Sequence, residues 1–115
     1  IAALHARAAT PADTDWTQIE LLYQTLERLQ PSPVVTLNRA VAVSKVHGPA
    51  AALALVEPLE ERLDGYFHYF GVKGAMLRQL GRAEDARVAF QRAMALARTA
   101  AEATQIRTYL DELAS

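Results

Sequence analysis

The chain has 115 residues, with 12 basic and 13 acidic side chains and a net charge of −1. That length suits one domain with a continuous core, and so balanced a charge gives no general attraction to a phosphate backbone, so DNA binding by this stretch alone is not expected. The absence of cysteine excludes a disulfide scaffold and thiolate metal sites and fits a reducing cytoplasm, while no run approaches the ~20 apolar residues of a membrane span.

Residues 1–9, IAALHARAA, have high helix propensity and an apolar face centred on Leu4. The chain begins inside this pattern, without the charged start or long apolar run of a signal peptide. It is therefore expected to be the C-terminal piece of a longer protein. Thr10-Pro11 ends the first helix, and Asp13 and Asp15 are candidate N-caps for the next.

That second helix spans about 15–30. Trp16, Ile19, Tyr23, Leu26 and Leu29 recur every three or four residues and form one apolar stripe. Pro31-Ser32-Pro33 stops it and starts a third helix, about 33–46, with Ser32 as cap and Pro33 in the first turn. Apart from Asn38, Arg39 and a few others, this third helix is apolar nearly all round, which predicts burial on several sides. His47-Gly48 ends it.

A fourth helix opens at Pro49, and Pro58 predicts a kink or break before the acidic run Glu57, Glu60, Glu61 and Asp64. Asp64-Gly65 is a turn. The fifth helix, about 66–80, contains Gly71 and Gly74, each costing roughly 1 kcal/mol against alanine. Close helix packing is the expected compensation. A sixth helix covers about 83–98, and an amphipathic seventh, about 101–114, turns Ile106, Tyr109, Leu110 and Leu113 inward. The reading is seven helices and no strand.

Little in the sequence offers catalysis. His5, His47 and His68 are isolated, none in a metal-ligand spacing. The carboxylates at 57, 60, 61 and 64 lack the loop pattern calcium requires, and a solvated helix face accounts for them. No phosphate loop and no Ser/His/Asp arrangement occurs. The expectation is a protein that is not an enzyme, with no metal and no cofactor.

Phe70, Gly74, Leu77, Gly81, Ala86, Phe90, Ala93 and Leu96 fall where a tetratricopeptide (TPR) repeat places its large, small and turn residues, so this stretch resembles a TPR unit. Gly81 has a counterpart in Gly48, 33 residues earlier. Ile19, Tyr23, Leu26, Leu29 and Pro31 match the end of a preceding unit. The expected fold is all-α, a right-handed superhelical stack of TPR-like helix hairpins, three pairs plus a cap helix. Its units are about 1–31, 32–65 and 66–98, with the cap at about 101–114. In such a stack the first helix of each pair lines the concave surface. That assigns Asn38, Lys45, His68 and Arg78 to a candidate partner-binding groove, polar and basic, able to hold an extended acidic segment or a chain end. The competing reading makes Lys45 and Arg78 ordinary solvated charges, and Asn38 and Arg39 an internal anchor between helices.

A second resemblance is more specific. Asp15-Trp16, Ile19, Leu22-Tyr23, Leu26 and Leu29, then Pro31-Ser32-Pro33-Val34-Val35, Leu37-Asn38-Arg39-Ala40-Val41-Ala42-Val43 and Gly48-Pro49 resemble the C-terminal, TPR-containing extension of extracytoplasmic-function (ECF) type bacterial RNA polymerase sigma factors. Asp15, Trp16, Asn38 and Arg39 are the signature positions. The resemblance implies a cytoplasmic parent protein that directs RNA polymerase to promoters through N-terminal modules lying outside this chain. This stretch would then be a regulatory, protein-interaction module contacting the sigma core, the polymerase or a regulator, and DNA would be touched only by those other modules. The alternative is a stand-alone TPR adaptor that holds an extended peptide.

Overall fold

Six α-helices and a single 3-10 turn make up the described residues, 15–114, of a computed structural model. No strand occurs among them, and the fold is all-α. The predicted helix at 1–9, the candidate cap Asp13 and His5 lie outside the described residues.

Helix α1 spans Trp16–Leu29. Asp15 caps it, its carboxylate accepting a hydrogen bond from the Gln18 amide at 3.0 Å, so one of the free first-turn donors is satisfied. Helix α2 spans Pro33–His47; Ser32 accepts from the Val34 amide, and Pro33 occupies the first turn, where its missing N–H costs nothing. It ends at Gly48, whose φ of +96° belongs to the left-handed region that favours glycine.

Helix α3 runs only from Pro49 to Val56. Pro58 stops it as expected, because proline lacks the N–H a helix would use and restricts the residue before it. A 3-10 turn at Glu57–Leu59 follows, then irregular chain to Tyr66.

Helix α4 (Phe67–Gln79) and helix α5 (Ala83–Leu96) form the best-packed hairpin. The link is a Schellman motif. Gly81 sits at φ +78°, its amide donating to the Arg78 carbonyl at 3.0 Å while the Arg82 amide donates to Leu77 at 2.9 Å. Phe70 faces Arg92 and Gly74 faces Phe90, which fixes the two helices as antiparallel. A Cβ built on Gly74 would lie 2.5 Å from the Phe90 ring. The predicted close packing is present at this glycine and absent at Gly71, where a Cβ would meet nothing within 4 Å. Helix α6, Ala100–Ala114, closes the array, with Tyr109 packed 5.2 Å from the Phe90 ring.

One core runs through α2 to α6, and Leu37, Val56, Tyr69, Phe90 and Ile106 in it are almost wholly buried. Each hairpin presents apolar residues on both sides, so neighbouring helices share a continuous interior. Helix α1 packs on α2 through the buried Ile19 and through a polar contact described next.

Candidate interaction groove

Asn38 and Arg39 are neighbours in α2, so their side chains leave the helix about 100° apart, following from 3.6 residues per turn. Arg39 turns toward α1. Its Nη1 donates to Glu27 Oε1 at 3.0 Å, and Thr36 donates to the other oxygen of Glu27 at 2.8 Å. Glu20, 6% exposed, is the one buried charged residue among the described core residues. It has Arg39 at 4.0 Å and His47 at 3.4 Å, and accepts from Gln24 at 3.1 Å. Paired in this way, a carboxylate can be buried without a prohibitive desolvation cost. Arg39 is therefore the internal anchor, and His47 is part of the same contact.

Asn38 turns the other way. Among the described residues no hydrogen bond or ion pair holds its side chain. It lines a shallow apolar hollow with Trp16, Ile19 and Tyr23 of α1 and His68 of α4. Beside this hollow, and sharing His68 with it, lies a groove of about 240 Å³ between α2, α4 and α6. Val41, Ser44 and Lys45 form its α2 wall, His68, Gly71 and Ala75 its α4 floor, and Ile106 and Tyr109 its α6 wall.

Of the four groove residues expected from the sequence, Lys45 and His68 line this groove and Asn38 lines the adjoining hollow. Lys45 Nζ lies 5.8 Å above the Trp16 ring, a cation–π arrangement. The surroundings of His68 lower its pKa by desolvation, which favours the neutral imidazole near pH 7. Arg78 does not join them. It is drawn into an ion pair with Glu112 of α6, outside the groove lining. The α6 residues were legible only as a buried stripe, since the repeat pattern treats that helix as a cap.

Of the acidic run at 57–64, Glu57, Glu61 and Asp64 are exposed, in keeping with a solvated face, while Glu60 is half-buried. Glu60 accepts hydrogen bonds from Lys73 and, at 3.2 Å, from the Tyr69 hydroxyl. The Lys73 hydrogen bond holds the Glu60 carboxyl below its ordinary pKa, and burial, with Glu60 beside it, pushes the Tyr69 phenol up. Asp64 pairs with Arg92. These groups edge an outer cleft of about 430 Å³ between the 57–64 turn, α4 and α5. Its basic groups Lys73, Arg82 and Arg92 all face carboxylate partners. No group of acids and histidines among the described residues could hold a metal ion, and none of the described helices is long and apolar enough to cross a membrane.

No family model matches the chain, and no solved structure matches it. It is 70% identical over all 115 residues to an uncharacterized protein of Rhizobium meliloti strain 1021. The chain spans 27% of the length of that relative.

Proposed function

We propose that this domain is the C-terminal interaction and regulatory module of an ECF-type sigma factor, in a parent protein that directs RNA polymerase to promoters. The observation that carries the reading is the block 31–43, PSPVVTLNRAVAV, which the fold uses in two ways. Arg39 locks α1 to α2, while Asn38 and Val41 face the hollow and groove. The length of the Rhizobium relative supports it, since a protein nearly four times as long as this chain has room for polymerase- and promoter-binding modules. The finer fold that goes with this reading is a right-handed TPR-like stack. Two hairpins with glycine turns at Gly48 and Gly81, 33 residues apart, support that geometry.

In this function the domain carries out no catalysis and takes no cofactor. Its partner is protein: the sigma core of its own chain, the polymerase or a regulator. Its place is the cytoplasm, where transcription occurs. A second reading, a peptide-holding adaptor, is favoured by the groove between α2, α4 and α6.

The test compares transcription by RNA polymerase from a promoter of the parent protein, with the full chain and with residues 15–114 removed. A severalfold change on removal is expected. Unchanged transcription would leave the adaptor reading in place of the regulatory one.

A further inference from the structure

Helix α1 has more apolar surface than its one close neighbour covers. Among the described residues it packs chiefly on α2, and Ile19 is buried. Leu29, expected in the same apolar stripe, is instead 74% exposed, and Leu21 and Leu22 are exposed with it. Leu22 and Leu29 are seven positions apart, so at about 100° per residue they lie about 20° from each other, on one flank of the helix. Val34, just past the Pro31-Ser32-Pro33 link, is exposed as well. These residues are four of the six large exposed hydrophobic side chains among the described residues, so they are concentrated at one end of the helix array. The other end differs: α6 exposes no large apolar residue. A helix that closes an array needs a polar outer face. Helix α6 has one and α1 does not, so the array continues past α1.

Two properties identify what covers α1. The patch is small, far short of the about 20–30 residues a side that hold a separate partner. It suffices for a segment of the same chain, whose tether supplies an effective concentration on the order of millimolar. The second property is reach. As a helix, residues 1–9 would span about 13 Å, and the link 10–14 joins them to the start of α1, whereas Leu29 stands about 20 Å along α1 from Trp16. A helix antiparallel to α1 that reaches Leu29 must begin about five residues before Ile1.

We propose that the flank of α1 carrying Leu22 and Leu29, with Val34 beside it, is where the parent chain docks on this domain. The segment directly before Ile1, continuing the helix predicted at 1–9, lies antiparallel to α1 and buries Leu22 and Leu29 with apolar side chains of its own. The domain is thereby joined rigidly to what precedes it and does not hang on a free linker. The inference rests on the reading of this chain as the C-terminal module of a longer protein. It adds which surface receives the rest of that protein, one separate from the groove between α2, α4 and α6.

The chain has no cysteine, so a thiol placed on α1 reports on its cover. Leu29→Cys and, as a control, Val88→Cys, at a site 66% exposed on α5, are made in the 115-residue chain and in the full-length parent. Reaction with N-ethylmaleimide at micromolar protein is followed by mass spectrometry of the peptide bearing each site. Leu29→Cys is expected to react at least tenfold slower in the parent than in the shorter chain, and Val88→Cys at the same rate in both. Replacing the segment directly before Ile1 in the parent with a flexible Gly-Ser linker of equal length is expected to restore fast labelling at position 29. Equal rates for Leu29→Cys in the two proteins, equal slowing at both sites, or slowing that survives the linker would each overturn the proposal. So would slowing in the shorter chain that grows with its concentration, which would place a second copy on α1, and slowing in the parent that requires added RNA polymerase. If removing 15–114 changes transcription while position 29 labels equally fast in both proteins, this inference falls and the regulatory reading stands. If position 29 is protected in the parent while removal leaves transcription unchanged, the docking stands and the regulatory reading falls.

Discussion

Replacing Gly74 with alanine sets two known effects against each other. Alanine inside a helix gains about 1 kcal/mol over glycine. The new Cβ, however, would sit 2.5, 2.6 and 2.9 Å from three carbons of the Phe90 ring. That ring is 1% exposed and has Tyr109 5.2 Å away, so it cannot swing into solvent. Overpacking of a filled core costs about 1–3 kcal/mol. Taking about 2 for the clash leaves Gly74→Ala less stable by about 1 kcal/mol. At Gly71 the same substitution has the propensity gain alone, about 1 kcal/mol in the stabilising direction. The two variants should therefore differ by about 2 kcal/mol, or about 8 °C in Tm for a domain of this size. Urea and thermal unfolding of the 115-residue chain, followed by far-UV circular dichroism, measures both. A Gly74→Ala chain as stable as Gly71→Ala would refute the claim that Phe90 occupies the space above Gly74.

Two further outcomes follow from the polar contacts. Arg39→Ala leaves Glu20, whose side chain is 8% exposed, with His47 and Gln24 as its remaining polar neighbours; because Arg39 itself is partly exposed, the loss should be about 2 kcal/mol rather than the 3–5 of a fully buried pair. Arg39→Lys should recover less than half of it in urea unfolding, as a single ammonium cannot reach both carboxylates. Glu60→Gln should lower stability at neutral pH and make it less sensitive to acid. The folded pKa of Glu60 lies below its ordinary value of 4.5, chiefly through the Lys73 hydrogen bond. The unfolded chain therefore binds the proton first, and the stability Glu60 contributes is present above 4.5 and lost as pH falls through the lowered value. Urea midpoints from pH 7 to pH 3 should show wild type and variant converging on the acid side.

The helices were legible because their punctuation is strong. Asp15, Ser32-Pro33, Gly48-Pro49 and Gly81 each have a local physical role that needs no knowledge of distant chain, and the break at Pro58 follows from the missing N–H alone. The groove was legible in part. Lys45 and His68 fall at the expected repeat offsets, but Arg78 is claimed by Glu112 on a helix 34 positions further along, and no local pattern announces such a pair. The different fates of Gly71 and Gly74 were legible in part: the repeat pattern gives a small packing position to Gly74 and not to Gly71, and only the structure shows that the Phe90 ring of the partner helix is what fills the space above it. Glu20 reads as a surface acid in an amphipathic helix until α2 brings Arg39 and His47 against it.

The internal-anchor reading fits Arg39 and not Asn38, and that matters for what the block 31–43 can mean. Arg39, with Thr36, serves Glu27 and the buried Glu20, so any chain that packs these two helices in this way has use for it, whatever its function. A match at Arg39 is accordingly evidence about fold. Asn38 contributes no such bond among the described residues, and it faces a hollow whose other side chains, His68 apart, are aliphatic or aromatic. A polar amide in that setting is an uncompensated choice for packing alone, since an apolar residue of similar size would bury more surface without forgoing hydrogen bonds. If the domain is the interaction module proposed above, the part of the block in that role rests on Asn38 and on the groove that begins next to it at Val41, rather than on the whole run from Pro31 to Val43. The same reasoning separates Gly71 from Gly74. In both pairs, one residue is needed to build the helix packing, and its neighbour is left over for whatever the surface meets.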